Sequence, residues 1–195
     1  MTVYPDVKIN LGLNILRRRP DGYHDLETLF VPFRGMGDRI DIEESDKESI
    51  EVIGGDWDPE TDLSWRACRL LSGEFGLPPV RIVLHKAAPV GAGLGSGSAD
   101  AAFTLKALNE MFSLGLDEAA LASRAAMLGS DCPFFVYDRP MFGEGRGEKL
   151  TPCELDLSSF EIRVEVPAGV KVSTREAYSG LDLSRSGERK PLREV

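Results

Sequence analysis

From residue 7 to residue 16 the chain alternates strictly, with Val7, Ile9, Leu11, Leu13 and Ile15 on one side and Lys8, Asn10, Gly12 and Asn14 on the other. A period of two is that of a half-buried strand, and it sends Lys8 and Asn10 to the face away from the core. Taken alone, a lysine there reads as a solvated edge residue. Segments 26–33, 38–43 and 49–53 carry a similar signature and predict further strands, with Gly35, Gly37 and the charged run 43–48 between them as turns. The period then changes. Asp62 is placed to cap a helix bearing Leu63, Ala67, Leu70, Leu71 and Phe75, which Gly76 would stop. An apolar strand at 80–84 leads into a glycine-rich run, and a helix follows from about 98 to 112. Asp117 caps another helical stretch, 118–128. Segments 134–137, 140–143 and 147–151 suggest short strands. The alternation of Ile162, Val164 and Val166 predicts a strand over 160–166, and Ser173 a short capped helix over 173–178.

The run joining the strand to the following helix is Pro89-Val90-Gly91-Ala92-Gly93-Leu94-Gly95-Ser96-Gly97-Ser98. Alternating glycines let backbone approach a ligand closely, and the small residues after them form a helix start whose free N–H groups face it. Such a turn suits an anion, above all a phosphate. A Gly/Ser run by itself reads equally as a flexible linker; the flanking strand and helix favour the phosphate cradle. No lysine follows until Lys106, so the run is not of the Walker type, and it contains no G-x-G-x-x-G.

Two other stretches carry candidate chemistry. Pro20-Asp21-Gly22 is a turn signal, with Tyr23 and His24 just beyond it, where a histidine by itself reads as a surface residue. Gly129-Ser130-Asp131-Cys132-Pro133 places an acidic residue on a tight helix-to-strand turn, where aspartate often bonds only nearby amides.

Composition narrows the field. With 195 residues and 42% apolar content, the chain suits one domain, or one domain and part of another. A net charge of −9 argues against nucleic acid or an anionic membrane as partner. Cys68, Cys132 and Cys153 have no C-x-x-C spacing, so neither a disulfide framework nor a zinc site is expected, and they read as free thiols in a reducing compartment. No signal peptide opens the sequence, and no apolar run approaches the roughly 20 residues of a membrane span; a cytoplasmic protein is expected.

Three separated stretches together resemble a known family. Lys8-Ile9-Asn10-Leu11 with Arg19-Pro20-Asp21-Gly22-Tyr23-His24 and Thr28, then residues 89–102, then Gly129-Ser130-Asp131 with Pro133-Phe134-Phe135, resemble the superfamily named for galactokinase, homoserine kinase, mevalonate kinase and phosphomevalonate kinase. The Asp-Gly-Tyr-His element is similar to that of its diphosphocytidyl-methylerythritol kinases, and the resemblance runs from about Val7 to Tyr178. It implies an α+β fold, with an ATP-binding domain like domain 2 of ribosomal protein S5 over residues 1–152 and the beginning of a ferredoxin-like domain over 153–195. It implies transfer of the ATP γ-phosphoryl group to the 2-hydroxyl of 4-diphosphocytidyl-2-C-methyl-D-erythritol in the non-mevalonate isoprenoid route, with Mg²⁺ carried by ATP.

By the same resemblance Asp131 is the catalytic base and Lys8 its partner. Pro89, Gly91, Gly93, Leu94, Gly95, Ser96, Gly97 and Ser98 hold ATP, while Asn10, Tyr23, His24 and Tyr178 hold a substrate with a cytidine diphosphate moiety. No residue is assigned to a metal, and a monomer or homodimer is implied. Asp62 stands where the family has an asparagine near the adenine, and an acidic side chain supplies no amide donor there. Family chains continue past residue 195 into a further glycine-rich motif, so the sequence reads as C-terminally truncated. A kinase of the homoserine or mevalonate type, and a nucleotide-binding fragment without catalysis, stay open as alternatives.

Overall fold

The structure, a computed structural model, describes residues 1–167, 180 and 191–194. Two four-stranded sheets and four α-helices, with short 3-10 turns at Pro59–Thr61 and Leu192–Glu194, form the regular structure of the described part. Strands β1 (Thr2–Val3), β4 (Arg39–Glu44), β5 (Ser49–Ile53) and β6 (Val80–His85) form one sheet in the order β1-β4-β6-β5. Strands β2 (Asp6–Arg18), β3 (His24–Gly37), β7 (Met141–Gly145) and β8 (Lys149–Pro152) form the other, in the order β2-β3-β7-β8. Only β5 and β6 run parallel, as their connection through helix α1 (Leu63–Phe75) requires. Helix α2 (Ser96–Met111) follows the glycine loop, and α3 (Glu118–Leu128) and α4 (Cys132–Tyr137) follow in turn.

The caps fall where the residue types place them. The Asp62 side chain accepts from the Ser64 N–H, Asp117 accepts from the Ala120 N–H, and Gly76 ends α1 in the left-handed region. The helices pack Ala67, Cys68, Leu71, Ala99, Ala102, Leu105 and Leu108 against Ile40, Ile42, Ile82 and Leu84 of the first sheet. Phe134 and Phe135 of α4 join the same core, together with Phe30 and Met141 of the second sheet. This continuous apolar contact holds the two ends of the glycine loop and the β2–β3 hairpin in register with one another.

Four sequence expectations change. Lys8 is not a solvated edge residue: it is 5% exposed, because its face of the sheet is covered by the glycine loop and α4. Strict alternation through β2 is broken by a bulge at Gly12, whose φ of +75° suits glycine. With the extra residue, Leu13 pairs with Thr28 and Ile15 with Leu26, so Ile15 moves to the face that carries Lys8 and Asn10. Residues 134–137 are helical rather than extended. A short apolar run fits a buried helix as well as a strand, and Pro133 sits in the first turn, where its missing N–H costs nothing. Residues 160–166 form no strand, since alternation needs a hydrogen-bonded neighbour and none pairs with them among the described residues. Neither the short helix expected at 173–178 nor Tyr178 lies within the described residues.

Candidate active site

Lys8 is the hub at which the glycine loop, β2 and α4 meet. Its backbone N–H donates to the Leu94 carbonyl at 2.9 Å. Its ammonium donates to Gly93 O at 3.0 Å and to Asn10 Oδ1 at 2.6 Å, and lies 3.6 Å from Asp131 Oδ2. Asn10 is oriented in turn, donating to Thr28 Oγ1, which donates to Gly12 O. The ammonium also lies 5.1 Å from the centre of the Phe30 ring. Burial holds the Lys8 pKa below the usual lysine value, although Asp131 opposes the shift. A desolvated ammonium of this kind gains most from an additional anionic oxygen.

Asp131 stands at the start of α4, yet its side chain makes no capping bond, unlike Asp62 and Asp117. The carboxylate is therefore not consumed by nearby amides, and at 35% side-chain exposure it is open to a ligand while touching Lys8. Such a pair is able to take a proton at the carboxylate and hold a negative oxygen at the ammonium.

The loop has the geometry its composition implies. Gly91, Gly93 and Gly95 all have φ near +75°, and α2 starts at Ser96 with no side-chain cap. The Ala99 N–H already bonds Gly95 O, so the amides before it are those left to face an anion. Gly95 is the tightest position: a Cβ there would meet Phe135 at 3.0 Å and the Lys8 Cε at 3.4 Å. We expect Gly95→Ala to weaken nucleotide binding by about tenfold or more in calorimetric titration, and to cost about 1–2 kcal/mol in thermal unfolding from the left-handed backbone.

Lys8, Asn10, Asp131 and the 89–98 loop thus converge. Tyr23 and His24 do not join them directly. His24 pairs with Arg18 and Pro32 with Lys8, so the hairpin tip lies on the order of 25 Å along the ladder at about 3.3 Å per residue. Tyr23 is 55% exposed there, and its ring carries the Arg146 guanidinium at 4.8 Å. Arg146 belongs to the β7–β8 turn, whose next residue, Gly147, would bring a Cβ within 3.8 Å of Asp131 Oδ1. This turn connects the hairpin tip with the Asp131 end of the site.

Sequence reasoning missed Arg146, although it is the one cation between Gly143 and Gly147. It also missed a buried cluster behind the loop, Lys86 with Asp38 and Asp100. Its signal was an aspartate set among Ala99, Ala101 and Ala102 on the most buried part of α2. Asp62 spends both carboxylate oxygens internally, on the Ser64 N–H and hydroxyl and on the Trp57 indole N–H.

Residues 62–139 match the family description GHMP kinases N terminal domain. Together with the relatives that follow, this match defines the class as a small-molecule kinase of mixed α+β fold. The chain is 47% identical over 188 residues to the 4-diphosphocytidyl-2-C-methyl-D-erythritol kinase of Bacteroides fragilis, covering 92% of this chain and 67% of that protein. It is 46% identical over 190 residues to that of Bacteroides thetaiotaomicron, covering 93% and 68%. A crystal structure of 4-(cytidine 5'-diphospho)-2C-methyl-D-erythritol kinase superposes with a TM-score of 0.70 at 39% identity, covering 80% of this chain and 56% of that one. The chain belongs to the 4-diphosphocytidyl-2-C-methyl-D-erythritol kinase family. It spans about two thirds of the length of these curated relatives. No helix among the described residues is long and apolar enough to cross a membrane.

Proposed function

We propose that the protein transfers the γ-phosphoryl group of ATP to the 2-hydroxyl of 4-diphosphocytidyl-2-C-methyl-D-erythritol, as a cytoplasmic enzyme of the non-mevalonate isoprenoid route. The observation that carries this reading is the position of Lys8, whose one ammonium touches both the glycine loop and Asp131. Phosphoryl transfer depends on placing donor, acceptor and compensating charge together, and that contact joins the three.

Residues 89–98 hold the ATP phosphates through backbone amides. Asp131 accepts the proton of the acceptor hydroxyl as its oxygen bonds to phosphorus and the bond to ADP breaks. Lys8 stabilises the oxygens that carry the negative charge, and Asn10 orients the methylerythritol end. Mg²⁺ would arrive with ATP and supply positive charge against the phosphates. The loop presents N–H groups, which do not ligate a cation, so the Asp131 carboxylate is the oxygen donor of this site that would suit a cation brought in by the phosphates. Tyr23 and His24 receive the cytosine, with Tyr178 as the stacking partner. Residues 1–152 are taken as the S5-like unit and 153–195 as the start of a ferredoxin-like unit.

An extended substrate would run from the hairpin tip to Asp131, and Arg146 lies between those ends, where a diphosphate would fall. Arg146→Met is expected to raise KM for the cytidine substrate by about tenfold or more, with little change in KM for ATP. A charge-assisted hydrogen bond of about 1.5–3 kcal/mol accounts for that size. Steady-state kinetics with each substrate varied in turn would measure it.

The activity is tested by phosphorus NMR of the protein with MgATP and the cytidine substrate, with homoserine and mevalonate in parallel. A phosphate monoester formed from the cytidine substrate alone supports the reading. A monoester formed instead from either other acceptor overturns it.

A further inference from the structure

Behind the glycine loop, and outside the site just described, lies a buried group of two carboxylates around one ammonium. Lys86 Nζ stands 2.5 Å from Asp38 Oδ2 and 2.6 Å from Asp100 Oδ2, with the three side chains 3%, 0% and 0% exposed. Lys86 lies just before the loop and Asp100 just after it, within the second turn of α2. Asp38 Oδ1 also accepts the N–H groups of Ala87 at 2.6 Å and Ala88 at 2.9 Å. Ser96 Oγ, at the first residue of α2, is 3.4 Å from the same ammonium. Both ends of the loop are therefore fastened to the β3–β4 corner through this one cluster.

Its charges do not balance. Two ionised carboxylates and one ammonium leave a net negative charge within a water-excluded space, one turn from amides that face an anion. The two carboxylates are not equivalent. Both Asp38 oxygens are bonded, whereas Asp100 Oδ1 is buried without a hydrogen-bond partner. Leaving an ionised oxygen in that condition costs more than leaving a neutral one, so Asp100 is the member that takes a proton.

We propose that Lys86, Asp38 and Asp100 are positioning residues for the nucleotide phosphates, and that Asp100 takes up a proton when those phosphates bind. The proposal rests on the reading of residues 89–98 as the phosphate cradle. Polyphosphate brings further negative charge beside the cluster, and protonation of Asp100 removes the excess while Lys86 and Asp38 keep the loop fastened. Burial pushes the Asp100 pKa up to about 8, with Asp38 and with Asp62 of the α1 cap adding to the rise and Lys86 opposing it. Lys86 itself is held above the usual lysine value: burial works against it, but Asp100 and Asp38 outweigh that. Bound phosphate raises the Asp100 pKa further. Proton-linked affinity is therefore fully present below the free-protein value, and is lost as pH climbs from about 8 through the higher value in the complex.

The test is calorimetric titration with a non-hydrolysable MgATP analogue at pH 8, in two buffers of different ionisation enthalpy. The nucleotide phosphates, with second pKa values near 6, are already ionised there. Net proton uptake by the unmutated protein, retained in Lys8→Met and lost in Asp100→Asn, is the expected result. Above pH 8 the affinity of the unmutated protein should fall by up to about tenfold per pH unit, with the fall flattened in Asp100→Asn. Binding without proton uptake, or uptake that disappears in Lys8→Met and persists in Asp100→Asn, overturns the proposal and leaves the cradle intact. If Asp100→Asn does not fold, the buffer pair on the unmutated and Lys8→Met proteins still decides it. No binding at any pH overturns the proposal and the cradle together.

Discussion

Replacing Asp131 with asparagine is expected to lower kcat by about 100- to 10,000-fold, the usual contribution of a positioned general base, with KM for both substrates nearly unchanged. The substitution keeps the size and shape of the side chain. It removes only the ability to accept a proton and the negative charge facing Lys8. Stability should fall moderately: Asp131 makes no capping bond to α4 and is partly open to solvent, but its charge offsets the burial of the Lys8 ammonium. Rapid-quench measurement of the phosphoryl-transfer step would separate loss of chemistry from slower product release, and equilibrium binding would show both ligands still held. Near-normal turnover in Asp131→Asn would remove the carboxylate from the mechanism.

The role proposed for Asp131 rests on the likeness of residues 129–135 to the kinase superfamily, and its geometry could not be read from them. A bare aspartate on a tight turn equally suits a cap. The distinction lies in Asp62 and Asp117, which cap their helices, and Asp131, which does not. Local signals served well where the determining contacts are local. The caps of α1 and α3, the stop at Gly76 and the strand, loop and helix around residues 89–98 all follow from residues a few positions apart. They failed where distant packing decides. Residues 134–137 are helical because two phenylalanines are buried on the core, and a four-residue apolar run does not declare its period. The bulge at Gly12 reverses the face of Ile15, and nothing in the alternation announces it. The Lys86 cluster joins residues 14 and 48 positions apart, so it exists only once the sheet and α2 are in place.

Lys8 is the case in which the pattern misled about burial and was right about direction. Alternation correctly set it opposite Val7, but that face is covered rather than solvated. Its replacement by methionine should therefore separate activity from stability more sharply than any other change at the site. We expect kcat to fall by about 100- to 1,000-fold, as when one pre-placed donor to a charged transition state is removed. The folded state should lose little. Methionine fills much the same volume, and a buried ammonium already carries a desolvation cost large enough to hold its pKa down. Against this, Asn10 Oδ1 and Gly93 O lose their donor, so the melting temperature should move only slightly in either direction. Lys8→Arg should not restore turnover, since a planar guanidinium does not put one compact charge at the point where Gly93 O, Asn10 Oδ1 and Asp131 converge. Differential scanning calorimetry beside single-turnover kinetics checks both halves. A Lys8→Met protein that unfolds many degrees lower while keeping its kcat would make Lys8 a structural tie between strand and loop, and would leave the chemistry to Asp131 alone.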